Sequence, residues 1–153
     1  RKPQGNDRAQ AKAIYEGLCD VAIANTYYMA KMATNEKKPE QQKWAKAVTI
    51  VFPNRDSRGT HVNVSGAAIT KSAPHRDNAV KLIEFLSGDF AQRIYASRNF
   101  EYPVKAGVPL DPVVDSWGTM RADTINLTDV ARHRTAASRL VDETKFDLGS
   151  GGS

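Results

Sequence analysis

Cys19-Asp20-Val21-Ala22-Ile23-Ala24-Asn25-Thr26-Tyr27-Tyr28 is the stretch that decides how this chain is read. Val21 to Ala24 is a short apolar run, which predicts a buried strand of a parallel sheet covered on both faces. Asn25 and Thr26 are good helix N-caps, because their side-chain oxygens accept from free backbone N–H groups. They predict a helix from Tyr27 to about Ala33. Two adjacent tyrosines therefore stand where a strand ends and a helix begins, the place where open α/β sheets build their binding sites.

The chemistry of that pair depends on its surroundings. A phenol has a pKa of about 10 and is a poor ligand at neutral pH. A trivalent cation reverses this, because a bound metal strips the proton from its ligand. Phenolate is a hard anionic oxygen and suits ferric iron. The helix N-terminus adds free N–H groups and a favourable dipole for phenolate or for a small anion such as carbonate. Spacing alone favours the plainer reading of one aromatic in the core and one on the surface. Asn6, ahead of the first helix, and Asn25 carry two options each: capping, or donating an amide to an anion.

Working outward, helices are predicted over Asp7 to Gly17, Gln41 to Lys46, Asp77 to Leu86, Asp89 to Ser97 and Thr128 to Thr144. Phe90, Ile94 and Tyr95 should face inward, as should Val130, Ala137, Leu140 and Val141 of the last helix. Val48 to Phe52 and His61 to Ser65 are the further predicted strands, and Asp111 to Asp123 is loop or short helix. Mixed elements with parallel-type strands give an α/β class.

Several functions are disfavoured. His61, His75 and His133 lack metal-ligand spacing. Ser57 and Ser65 have no nucleophile-elbow context, and no P-loop, dinucleotide fingerprint or zinc pattern occurs. The single cysteine, Cys19, is expected to be a buried, inert thiol. The net charge of +5 comes from scattered basic residues interleaved with acids, which predicts a solvated basic surface and no nucleic-acid partner. An enzyme is therefore not expected. The chain opens at Arg1 without methionine and ends in Gly149-Ser150-Gly151-Gly152-Ser153. Residues 149–153 suggest an engineered flexible linker, and the whole a trimmed or excised piece.

The dityrosine stretch strongly resembles the motif of the bacterial periplasmic ferric-binding proteins, the solute receptors of ABC-type iron importers. Four further segments agree in order: Arg1 to Asp7; Val51-Phe52-Pro53-Asn54 with Arg58 to Asn63; Ala79 to Gly88; and Glu101-Tyr102-Pro103-Val104. The resemblance covers residues 1 to about 148 and corresponds to the C-terminal half of a family member. It implies a class II periplasmic-binding-protein (Venus-flytrap) fold with Fe(3+) in the cleft between two lobes. Tyr27 and Tyr28 would be the metal ligands. Some members bind a synergistic anion, carbonate or phosphate, through asparagines that match Asn6 and Asn25; others use more tyrosines and no anion. Lys31 stands where some of the latter carry an arginine near the iron.

By the same resemblance, residues 1–57 and 109–148 belong to a discontinuous C-terminal lobe and residues 58–108 to a segment of the N-terminal lobe. The expected partners are a missing N-terminal half or a second copy of the chain, and an ABC permease in the inner membrane. The expected location of the parent protein is the periplasm. The alternatives are a receptor fragment for another solute, or an engineered half-protein or permutant that has lost metal binding.

Overall fold

A computed structural model describes residues 5–148, so the Gly/Ser tail lies outside the described residues. The chain runs through α1 (Asp7–Tyr15), α2 (Thr26–Ala33), α3 (Pro39–Lys46), α4 (Arg76–Ser87) and α5 (Asp89–Ile94). A π-helical turn, Tyr95–Asn99, extends α5. Then come α6 (Pro112–Asp115), α7 (Leu127–Arg132), α8 (Arg134–Glu143) and a closing 3-10 turn, Phe146–Leu148.

The elements pack as groups. Helices α1, α2 and α3 pack on one another, and α6 packs on α2. Their shared core is Ala11, Met29 and Met32, sealed by Trp44, Ala45, Val48, Ile50 and Trp117. Met29 and Met32 are one helical turn apart on α2, the spacing that puts two side chains on one face. Gln41 is buried beside this core, and its Oε1 accepts from Asn35 Nδ2 at 3.0 Å. Helix α4 packs on α5, and α5 on the π turn. Here Gln92 is the buried polar group: it donates to Leu86 O at 2.9 Å and accepts from Val104 N at 3.0 Å. Helices α7 and α8 pack on each other.

Few direct bonds join the first group to the second. A parallel bridge pairs Thr60 with Ala122, made by Thr60 N donating to Arg121 O at 2.7 Å and Asp123 N to Thr60 O at 2.8 Å. Asn63 Nδ2 donates to Asn25 Oδ1 at 3.3 Å. Lys31 Nζ donates to Asn99 Oδ1. At the bridge, Gly59 has φ +101°, and an added Cβ would lie 2.6 Å from Ala122 O.

Three expectations need correction. The predicted strands form no ladder: among the described residues the Thr60–Ala122 pairing is the only β-bridge. Val21, Ile23 and Val51 are 83%, 93% and 76% exposed instead of buried. A strand exists only through a neighbour that pairs with its backbone, and among the described residues no such ladder forms along these runs, although Val48 and Ile50 pack on the core. The predicted helix over Thr128 to Thr144 divides at His133, and its apolar residues Val130, Leu140 and Val141 face solvent. The predicted helix over Asp89 to Ser97 leaves α geometry after Ile94, and Phe90 and Ile94 are exposed. In each case the apolar pattern is intact and the surface that would cover it is absent from the described residues.

Two substitutions measure these differences. Met32 is fully buried, so Met32→Ala should cost about 2–5 kcal/mol in urea unfolding, whereas Ile23→Ala should change stability by less than about 0.5 kcal/mol. Gly59→Ala should cost at least about 1–3 kcal/mol, because it meets backbone and demands a left-handed φ.

Candidate metal centre

Helix α2 sets the directions of the candidate ligands. Its Met29-Ala30-Met32 face is buried. At about 100° per residue, that face turns Tyr27 and Lys31 to the opposite side, one turn apart. Asn25 is the N-cap residue by position, but its side chain makes no capping bond, and Thr26 lies inside the helix. The side chain of Asn25 is used elsewhere. Asp7 Oδ1 accepts from both Asn25 N, at 2.6 Å, and Asn25 Nδ2, at 3.1 Å. This ties the first turn of α1 to the start of α2.

The tyrosine rings lie against each other, with centroids 4.2 Å apart and planes tilted by 32°. Both are half-buried. A cation covers each ring: Arg8 Cζ stands 4.8 Å from the Tyr28 centroid and Lys31 Nζ 4.9 Å from that of Tyr27. The Tyr27 phenol is pushed up from 10.0 to about 12, first by its hydrogen bond with Tyr28. Partial burial and repulsion from Tyr28, Asp7 and Glu101 add to the shift. In the metal-free chain Tyr27 therefore holds its proton, and a ligand role requires a cation strong enough to displace it.

The other sequence candidates distribute as follows. Asn6 caps α1 by accepting from Ala9 N at 2.9 Å, the plainer of its two options. Cys19 is half-buried and free. His61, His75 and His133 are exposed. No group of three or more His, Cys, Asp or Glu residues is placed to hold a metal among the described residues. The tyrosine pair thus offers two phenol side chains together at the start of one helix. Sequence reasoning missed Arg8, Asp7, Asn99 and Glu101. Nothing local signals them, since Lys31 and Asn99 are 68 positions apart.

No family model matches the chain. Individual proteins do. Apo ferric ion-binding protein A of Pasteurella haemolytica is 53% identical and superposes with a TM-score of 0.88, over 98% of this chain and 46% of that one. The chain is homologous to the ferric-iron-binding proteins. Iron uptake protein A2 of Synechocystis is 46% identical over 145 residues, or 94% of this chain and 42% of the relative. A Trichodesmium structure in complex with iron and citrate ligands is 41% identical, with a TM-score of 0.88 over 94% of this chain and 45% of that chain. The chain thus spans less than half the length of the ferric-iron-binding proteins it matches, as the resemblance to half of a family member implies. Its fold is that of the matching part of those proteins. Among the described residues no helix is long and apolar enough to cross a membrane.

The raised phenol gives a pH signature. Neutral Tyr27 is favoured in the folded chain, so its contribution to stability is intact below pH 10 and is lost as pH rises towards about 12. An ultraviolet titration of the metal-free chain should show a phenolate step near pH 12 that is missing in Tyr27→Phe.

Proposed function

We propose that this chain is the tyrosine-bearing part of a periplasmic ferric-iron receptor that delivers its cargo to an ABC-type importer. The observation that carries this reading is the contact of two phenols at the start of one helix, rings 4.2 Å apart, in a chain homologous to ferric-iron-binding proteins. Tyr27 and Tyr28 would coordinate Fe(3+) as phenolates. Arg8 and Lys31, each over one ring, would offset the negative charge that two phenolates bring together. The role is capture and delivery, not catalysis.

Two oxygens do not complete a ferric shell. The remaining ligands would come from the opposite lobe, from a synergistic anion, or from both. An anion at Asn25 would compete with Asp7 for the Asn25 amide, whereas Asn6 would act while its Oδ1 stays on Ala9 N. In the lobe arrangement proposed here, residues 1–57 and 109–148 form the C-terminal lobe and residues 58–108 a segment of the N-terminal lobe. The separate packing of α1, α2, α3 and α6 from α4 and α5 supports this division. The exposed runs around Val21, Ile23 and Val51 would be covered by the rest of a longer protein, or by a second copy of the chain. An inner-membrane permease would receive the iron.

The test is a visible-absorbance titration with ferric nitrilotriacetate, a chelate that leaves a pair of adjacent positions open on the ion. The chain should develop a tyrosinate-to-iron charge-transfer band, and Tyr27→Phe/Tyr28→Phe should not. Each single phenylalanine variant should lose more affinity than the ~10–100-fold that loss of an outer partner costs. No band with the unmodified chain, alone and with the rest of the protein supplied, would sink the assignment. Binding should also release protons, since phenols are protonated at neutral pH. A pH-stat should record one proton fewer per iron for Tyr27→Phe than for the unmodified chain.

A further inference from the structure

Lysine has a long, flexible stem whose ammonium prefers water, so it does not stay over an aromatic ring without restraint. Lys31 is restrained by a two-step chain of hydrogen bonds. Its Nζ donates to Asn99 Oδ1, and Asn99 Nδ2 donates to Glu101 Oε1. An ammonium only donates and an ionised carboxylate only accepts. The two partners therefore fix which end of the Asn99 amide faces Lys31. All three side chains belong to half-buried residues.

The backbone is shaped for this. Asn99 is the last residue of the π turn, and Phe100 after it has φ 61° and ψ 32°, the left-handed region. A bulky residue takes up that region only when its surroundings hold it there. Phe100 N donates to Ala96 O at 3.1 Å. The turn brings Glu101 back onto Asn99 only two positions away. π turns recur where a helix is bent to place a functional side chain.

We propose that Asn99 and Glu101 are positioning residues for the tyrosine site, holding the Lys31 ammonium against the Tyr27 ring from the neighbouring helix group. The inference rests on the reading of Tyr27 and Tyr28 as iron ligands. Asn99 extends α5, whereas Tyr27 and Lys31 share α2, and these two helices belong to different packing groups. The charge over the phenolate therefore depends on how the two groups are placed. A cation over the ring stabilises the phenolate electrons, so their transfer to ferric iron needs more energy. Releasing Lys31 into water should move the charge-transfer band to longer wavelength.

The experiment uses the whole chain with ferric nitrilotriacetate, and compares the unmodified protein with Asn99→Leu, Lys31→Met and the double variant. Circular dichroism checks each fold, and Glu101→Ala serves as a second disruption should Asn99→Leu not fold. The expected result is a band in every protein, shifted to longer wavelength by Asn99→Leu and by Lys31→Met. The double variant should show no further shift. Glu101→Gln keeps an acceptor oxygen for Asn99 and removes a charge that repels the Tyr27 phenolate, so its band should not move to longer wavelength. An unshifted band in Asn99→Leu and Glu101→Ala, or an Asn99→Leu shift that persists undiminished with Lys31→Met, overturns the positioning role and leaves the ligand reading standing. Absence of the band from the unmodified protein, alone and with the rest of the protein supplied, overturns both.

Discussion

The burial of one face of α2 is the constraint on which the rest of the site depends. Met29, Ala30 and Met32 are buried, and Met29 and Met32 share a core with Ala11 that Trp44 and Trp117 pack against. That contact fixes the rotation of an eight-residue helix, too short to be stable from its own hydrogen bonds. With the rotation fixed, Tyr27 and Lys31 must point the other way. Asp7 adds a second constraint by gripping both the backbone and the amide of Asn25. The first turns of α1 and α2 are thereby held together, which brings Arg8 over Tyr28. The apolar side of the helix determines direction, and the carboxylate determines where the helix starts.

The electrostatics of the pair pull in opposite directions. The hydrogen bond with Tyr28, then partial burial and the charges of Asp7 and Glu101, keep the proton on Tyr27, while two cations stand over the rings. Any cation that is to bind Tyr27 as phenolate has to displace this proton.

The helices were largely legible in the sequence because each carries its own signals. Ser87-Gly88 closes α4, whereas α3 opens at Pro39, two residues before the predicted Gln41, because proline suits the first helical turn. The tyrosine pair was legible as a motif, and its placement at a helix start followed from Asn25-Thr26. What failed was everything that needs a neighbour. Val21 and Ile23 read as buried because apolar runs normally are, and sequence cannot say whether the covering surface lies within the same residues. The break at His133 was hidden, since Arg132 and Arg134 are good helix formers. The Lys31–Asn99–Glu101 chain was invisible for another reason: its members are polar, scattered and meaningful only once the backbone has turned at Phe100.

The crossing at Gly59 has a mechanical meaning. Two passes of the chain touch there backbone to backbone, with no side chain between them, and two hydrogen bonds clasp Thr60 between Arg121 and Asp123. Sliding one pass along the other would break both bonds at once and drive carbonyl into Cα. Sliding at this joint is therefore resisted by backbone contact as well as by hydrogen bonds, a stiffness that does not depend on any side chain.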